Sequence, residues 1–169
     1  GIALWAQTWN GENASTAAKT GGGNGFRVTF DQGKFSAAVA DSSLTTGAGT
    51  TNKTSNMAAS YDLGVAKLMA QSNTTKITAA ADIKSSLIGA LVPMAGGTFR
   101  IASSQTDQAG KKSSLMAVGF VQPMSKRTDL YATYGRVSNS GGANAALNGA
   151  VTAANASSTG YEFGVKHAF

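Results

Sequence analysis

Apolar residues recur at every second position along most of this chain. In GFRVTF, residues 25–30, Phe26, Val28 and Phe30 share one side while Arg27 and Thr29 take the other. KFSAAVA, residues 34–40, sets Phe35, Ala37 and Val39 against Ser36, Ala38 and Ala40. GTFRIAS, residues 97–103, opposes Phe99 and Ile101 to Thr98, Arg100 and Ala102. A period of two with one apolar and one polar side is the mark of a β-strand. The pattern predicts about ten strands, near residues 1–9, 25–31, 34–41, 57–62, 64–72, 85–92, 97–105, 113–122, 127–138 and 159–169.

The connections predicted between them fall into two alternating classes. Short ones at 31–33, 62–64, 93–97 and 123–126 carry Gly, Pro or Asp, the residues of tight turns. Long polar ones are expected at 10–24, 41–56, 72–84, 106–112 and 139–159. Up-and-down strands would collect the tight turns at one end and the long loops at the other. Outer-membrane barrels show that asymmetry. Strands of this length also suit the roughly 9–11 residues that a tilted strand needs to cross hydrocarbon. A soluble sandwich would alternate too, but with bulkier inward faces.

Composition sharpens the picture. Charged residues make up 13% of the 169-residue chain, against about 25% in an ordinary soluble domain. Large apolar residues are too scattered to fill a thick water-excluding core. No segment offers the roughly 20 apolar residues of a membrane-spanning helix, since residues 85–99 are broken by Pro93, Gly96 and Gly97. The net charge is +6, but the cations stand mostly singly, with Lys111-Lys112 and Lys126-Arg127 the tight groups. That spread argues against a nucleic-acid surface, which needs a patch. The chain has no cysteine, which excludes disulfides, thiolate metal sites and cysteine nucleophiles.

Catalytic and metal chemistry find little support. His167 is the sole histidine, without the companions that a metal site or a nucleophilic triad requires. TGGGNG, residues 20–25, lacks the Lys-Ser/Thr of a phosphate-binding loop and reads as a plain loop. Sequons at Asn13, Asn52, Asn73 and Asn155 fit chance in stretches this rich in Asn, Ser and Thr. No cofactor is expected.

Three segments carry a resemblance. PMSKRTDLYATYGRVSN (residues 123–139), the ending GYEFGVKHAF (160–169) and ASYDLGVAKLMAQ (59–71), with its Asp-x-Gly turn, resemble the general diffusion porins of Gram-negative β-proteobacteria. SKRTDLYA and the terminal Phe169 are the most specific parts, and the inner strands match in pattern alone. The resemblance implies an all-β, antiparallel, up-and-down transmembrane barrel of sixteen strands, trimeric, passing small hydrophilic solutes and often preferring anions. About ten strands are present and the family's N-terminal strand motif is absent. Residues 1–169 are therefore expected to form a single partial barrel domain, the C-terminal part of a porin, without the N-terminal strands or the loop that narrows the pore.

Resemblance and alternation together assign sides. Phe26, Val28, Phe30, Phe99, Ile101, Tyr161, Phe163 and Val165 are expected to face lipid or a neighbouring subunit. Arg27, Lys67, Arg100 and Lys166, with Glu162 nearby, are expected to line the pore, where cations concentrate anions. Arg127 and Arg136 lie near strand ends and take no assigned side, and neither does Trp5. Tyr61, Trp9, Tyr134 and Tyr161 suit interfacial girdles. Phe169, with aromatic or apolar residues at every second position before it, resembles the signal read by the barrel-assembly machinery. The expected function is an outer-membrane diffusion channel and not an enzyme. Its expected partners are outer-membrane lipid, further subunits of a homotrimer, that machinery and small hydrophilic or anionic solutes. A ten-stranded outer-membrane protease of the omptin type and a soluble secreted lectin-like or adhesin-like β-domain are the alternatives.

Overall fold

The computed structural model describes residues 1–11, 20–47, 50–148 and 150–169. Ten strands form one sheet in simple chain order, each pairing antiparallel with its predecessor. They are β1 (Ile2–Trp9), β2 (Gly23–Gln32), β3 (Phe35–Gly47), β4 (Thr50–Asp62) and β5 (Lys67–Ile77). β6 (Ile83–Met94), β7 (Gly97–Gln108), β8 (Lys111–Pro123), β9 (Thr128–Ser140) and β10 (Ser158–His167) complete the order. Among the described strands, β1 and β10 are the free edges, so the sheet does not close on itself. No described helix is long and apolar enough to cross a membrane.

The number of strands agrees with the sequence pattern, but their lengths do not. Three of the expected long loops, at 41–56, 72–84 and 106–112, are largely strand. β3 runs to Gly47, β4 starts at Thr50, β5 reaches Ile77, and β7 and β8 meet around Ala109-Gly110. These extensions lack apolar alternation, which is why the sequence pattern misses them. They are held by backbone ladders and by hydroxyl pairs across strands: Thr54 with Thr75 at 3.2 Å, and Ser85 with Thr106 at 3.1 Å. Such pairs are compatible with strands without any apolar side chain. Long connections remain between β1 and β2 and between β9 and β10. The sequon at Asn13 lies outside the described residues, while Asn52 and Asn73 fall inside strands.

The TGGGNG segment is also corrected. Gly23, Asn24 and Gly25 belong to β2. Glycine is required at Gly23, because a Cβ there would collide with the Trp9 ring and with the Ser43 carbonyl. At the turns β6–β7 and β7–β8, two successive residues take positive φ, Ala95 (49°) with Gly96 (77°) and Ala109 (54°) with Gly110 (81°). That is the two-residue hairpin geometry whose twist matches the flanking strands.

Among the described residues there is hardly a core: Val137 and Ala143 are the buried hydrophobic residues, and no large side chain is fully buried. Directly opposed residues of paired strands project to the same side, so the registers divide the sheet into two faces. One carries Ile2, Leu4, Phe26, Val28, Val39, Met57, Leu68, Ile88, Ile101, Val118, Tyr134 and Phe163. Many of these are exposed, among them Leu4 at 78% and Phe163 at 75%. A continuous apolar surface across ten strands far exceeds the few hundred Å² tolerated on soluble monomers.

Candidate functional site: a polar sheet face and the loop folded over it

The opposite face is polar. One row of directly opposed residues runs Trp5, Arg27, Ala40, Asn56, Asn73, Ser85, Thr106, Ser113 and Asn139 across nine strands. A second row runs Asp62, Lys67, Leu91, Arg100, Gly119, Thr133 and Glu162. Lys67 and Arg100 are two strands apart in it, about 10 Å. Arg27, Lys67, Arg100, Lys166 and Glu162 therefore all project to this one face. Phe26, Val28, Phe30, Phe99, Ile101, Tyr161, Phe163 and Val165 all project to the other.

The registers also give a side to Trp5 and Arg136, which sequence left without one, while Arg127 falls in the turn between β8 and β9. Trp5 opposes Arg27 on the polar face. Arg136 lies on the apolar face between Met116 and Thr159. Tyr61, Tyr134 and Tyr161 share one apolar-face row, whereas Trp9 projects to the polar face against Gly23. A membrane girdle does not include Trp9 in this arrangement.

Sequence reasoning named Glu162 but missed three other acids of the polar face. Asp31, Asp62 and Asp129 project there too, each at the tight-turn end of its strand. Asp62 directly opposes Lys67, and Asp129 directly opposes Lys166. Asp62 also caps its turn by accepting the Gly64 N–H at 2.7 Å. Glu162 accepts the Tyr131 hydroxyl at 2.6 Å. Arg27 and Arg100 lie further along their strands, opposite Trp5 and Ala40 and opposite Leu91 and Gly119 respectively. Among the described residues neither has a carboxylate within 4.0 Å. The signal for this pattern was present in sequence as the parity of each acid, but face assignment needs the registers.

The connection between β9 and β10 lies against this polar face. Its hub is Asn139. The Asn139 side-chain amide donates to the carbonyls of Ala145 (2.8 Å) and Ala156 (2.7 Å). Its Oδ1 accepts from the Ala145 N–H (3.1 Å) and from the Ser113 hydroxyl (2.7 Å). Asn155 Oδ1 accepts the Gly142 N–H at 2.7 Å, and the Leu147 N–H donates to Ser158 Oγ at 3.2 Å. Leu147 reaches down over Gly135 and Gly160, where a Cβ on Gly160 would sit 3.1 Å from it. Below it is a cleft of about 290 Å³ bordered by Leu115, Thr133, Leu147 and Glu162. Residues 141–157 carry no charged side chain. The buried residues Val137, Ala143 and Ser158 all lie at this seat.

At the tight-turn end, His167 Nδ1 is 2.9 Å from Thr128 Oγ1, and its ring packs edge-on to Phe169 at 5.0 Å. Among the described residues no group of three His, Cys, Asp or Glu could hold an ion.

Comparison with known proteins agrees with this geometry. Residues 5–142 match the family described as Gram-negative porin. Outer membrane porin protein 32 of Delftia acidovorans is 30% identical over 94% of this chain and 49% of its own length. The solved anion-selective porin from Comamonas acidovorans superposes with a TM-score of 0.90 and 28% identity, over 100% of this chain and 56% of that one. OmpT of Vibrio cholerae, at 12% identity, shares the fold with a TM-score of 0.68, over 97% of this chain and 60% of that one. The chain thus spans about half the length of the curated relative that it matches.

Proposed function

Because this chain belongs to the Gram-negative porin family and so to the bacterial outer membrane, we propose that it forms ten strands of a diffusion channel. That channel passes small hydrophilic solutes and prefers anions. The observation that carries this reading is the division of the sheet: an exposed apolar band on one face, with Arg27 and Arg100 on the other, each lacking a described carboxylate partner. In a closed barrel the apolar face meets lipid and the polar face lines water. Phe26, Val28, Phe30, Phe99, Ile101, Tyr161, Phe163 and Val165 then contact lipid or a neighbouring subunit. Arg27, Lys67, Arg100, Lys166 and Glu162 line the channel, and cations there raise the local anion concentration.

The anion preference draws support from the relative described as anion-selective. The polar face supplies it through placement more than through number. The acids Asp31, Asp62 and Asp129 sit at the tight-turn end, two of them across from Lys67 and Lys166. Arg27 and Arg100 sit further along their strands and so dominate the field along the pore. The uncharged 141–157 loop covers the β8–β10 side and would crowd anions toward these arginines. Assembly with the missing barrel strands, trimer formation and recognition of Phe169 by the assembly machinery belong to the same reading.

The test is a planar bilayer holding the full-length protein across a salt gradient. A reversal potential on the anion side is expected, and the combined replacement of Arg27, Lys67, Arg100 and Lys166 by Gln should move it toward zero. A wild-type potential on the cation side refutes the reading, and an unchanged potential in the variant assigns selectivity elsewhere in the barrel.

A further inference from the structure

Among the described residues the polar face carries the aromatic side chains of Trp5, Trp9 and Tyr131. Trp9 and Tyr131 each lie over the glycine directly opposite, Gly23 and Gly164, where a Cβ would collide with the ring. Tyr131 also donates its hydroxyl to Glu162. Trp5 instead opposes Arg27, and 51% of its surface is exposed. The atoms nearest a Cβ on Gly25, diagonal to Trp5, belong to Asp41 and Ser42. The indole thus does not cover that glycine as the other two rings cover theirs.

The result is a hollow of about 380 Å³. Its floor is Gly25 and Ala40, small residues on adjoining strands. Trp5 and Gln7 of β1 wall one side and Asn56 of β4 the other. Arg27 and Asn56 flank Ala40 in one row, about 10 Å apart. The Asp41 carboxylate belongs to the other face, where it accepts the Ser55 hydroxyl at 2.7 Å. Among the described residues no other acid borders the hollow, so Arg27 is the charge that faces it. The Arg27 guanidinium, the Trp5 indole N–H and the Gln7 and Asn56 amides make no hydrogen bond to another described residue. A few convergent polar groups set against apolar surface are the usual makings of a small-molecule site.

We propose that this hollow is a binding subsite for aromatic carboxylates. The proposal deepens the channel reading and rests on it, since it needs the polar face to line water. The ligand class follows from the walls. One guanidinium balances one negative charge, and its fork matches a planar carboxylate through two parallel hydrogen bonds. A doubly charged phosphate would leave one charge unmatched. The Asn56 amide, across Ala40, donates to the same carboxylate. The ring then lies over Gly25 beside the Trp5 indole, and offset or edge-on contact between the two favours a flat aromatic ring over a saturated one.

The test is saturation-transfer NMR on refolded full-length protein in neutral detergent at neutral pH, with benzoate, cyclohexanecarboxylate and benzamide as probes. Benzoate should bind tightest. Cyclohexanecarboxylate keeps the charge without the flat ring and should bind roughly two- to tenfold more weakly. Partition into detergent or onto the apolar face would give the opposite order, because the saturated ring is the more apolar. Benzamide keeps the ring without the charge and should be weaker by about tenfold or more. Trp5→Leu should bring benzoate to the level of cyclohexanecarboxylate, and Arg27→Gln should bring it to that of benzamide. Ala40→Leu fills the floor with Trp5 and Arg27 in place and should weaken benzoate at least as much as Trp5→Leu, so it decides the matter if loss of the indole prevents refolding. Equal affinities for benzoate and cyclohexanecarboxylate, or an unchanged benzoate affinity in any of these variants, overturns the proposal. Anion preference across a bilayer without benzoate preference would count against this proposal alone. Benzoate preference with a reversal potential on the cation side would count against the channel reading alone.

Discussion

Glu162 on β10 accepts a hydrogen bond from the Tyr131 hydroxyl of β9 at 2.6 Å, so this acid of the second polar row is held by a phenol. It lies three strands from Arg100 through Gly119 and Thr133. That separation is about 14 Å, beyond the roughly 8–10 Å screening length of physiological salt. Glu162→Gln should therefore raise the anion-to-cation permeability ratio only modestly, by less than about twofold at ordinary salt. Reversal potentials at low and high salt check this. A large rise that persists at high salt would show that Glu162 sits in a narrower, drier place than the sheet implies.

The pairing of Lys67 with Asp62 and of Lys166 with Asp129 divides the cations into two classes. Arg27→Gln with Arg100→Gln should reduce anion preference more than Lys67→Gln with Lys166→Gln. In the second variant each removed cation directly opposes an acid on the neighbouring strand, whose field opposes its own. Comparing the two double variants in one bilayer series decides the matter, and equal losses would refute it.

Asn139 holds the β9–β10 connection to the polar face through four hydrogen bonds. Asn139→Ala removes all of them, and each is worth about 0.5–1.5 kcal/mol net. The expected result is faster proteolysis within residues 141–157 and a larger single-channel conductance, with the barrel itself intact by circular dichroism. A conductance equal to that of the unaltered protein would mean that the loop does not limit flow.

Ala109 has φ 54° in the two-residue turn before Gly110. A side chain with a Cβ is strained in that region, by about 1–2 kcal/mol. Ala109→Gly or Ala109→Asn should stabilise the protein, by up to about 1 kcal/mol, since these residues suit the first position of such a turn. Thermal unfolding in detergent reads this directly. Ala95 at φ 49° should respond in the same direction.

Much of the fold was legible in the sequence. Phe26, Val28 and Phe30 alternate with Arg27 and Thr29 whatever partners they meet, because side-chain direction in a strand has a fixed period. The count of ten strands and the two sets of residues on opposite faces follow from that period, joined to the resemblance carried by residues 123–139 and 160–169. The polar halves of β3, β4 and β5 were not legible. Backbone ladders stabilise Ser42, Thr54 and Thr75 without any apolar pattern to announce them, so those residues read as loop.

The sequence by itself determined which residues alternate, and hence that Arg27, Lys67, Arg100, Lys166 and Glu162 could stand apart from the aromatic set. Only the tertiary structure decided which residues stand together. Register set Asp62 across from Lys67, Lys53 across from Lys76, and Trp9 on the face away from Tyr61. It also brought Leu147 over Gly160 and tied the loop to Asn139. The physical reason is that alternation is a local property of each strand. Neighbourhood across strands depends on where each turn closes, and a shift of one residue there moves a whole strand to the other face.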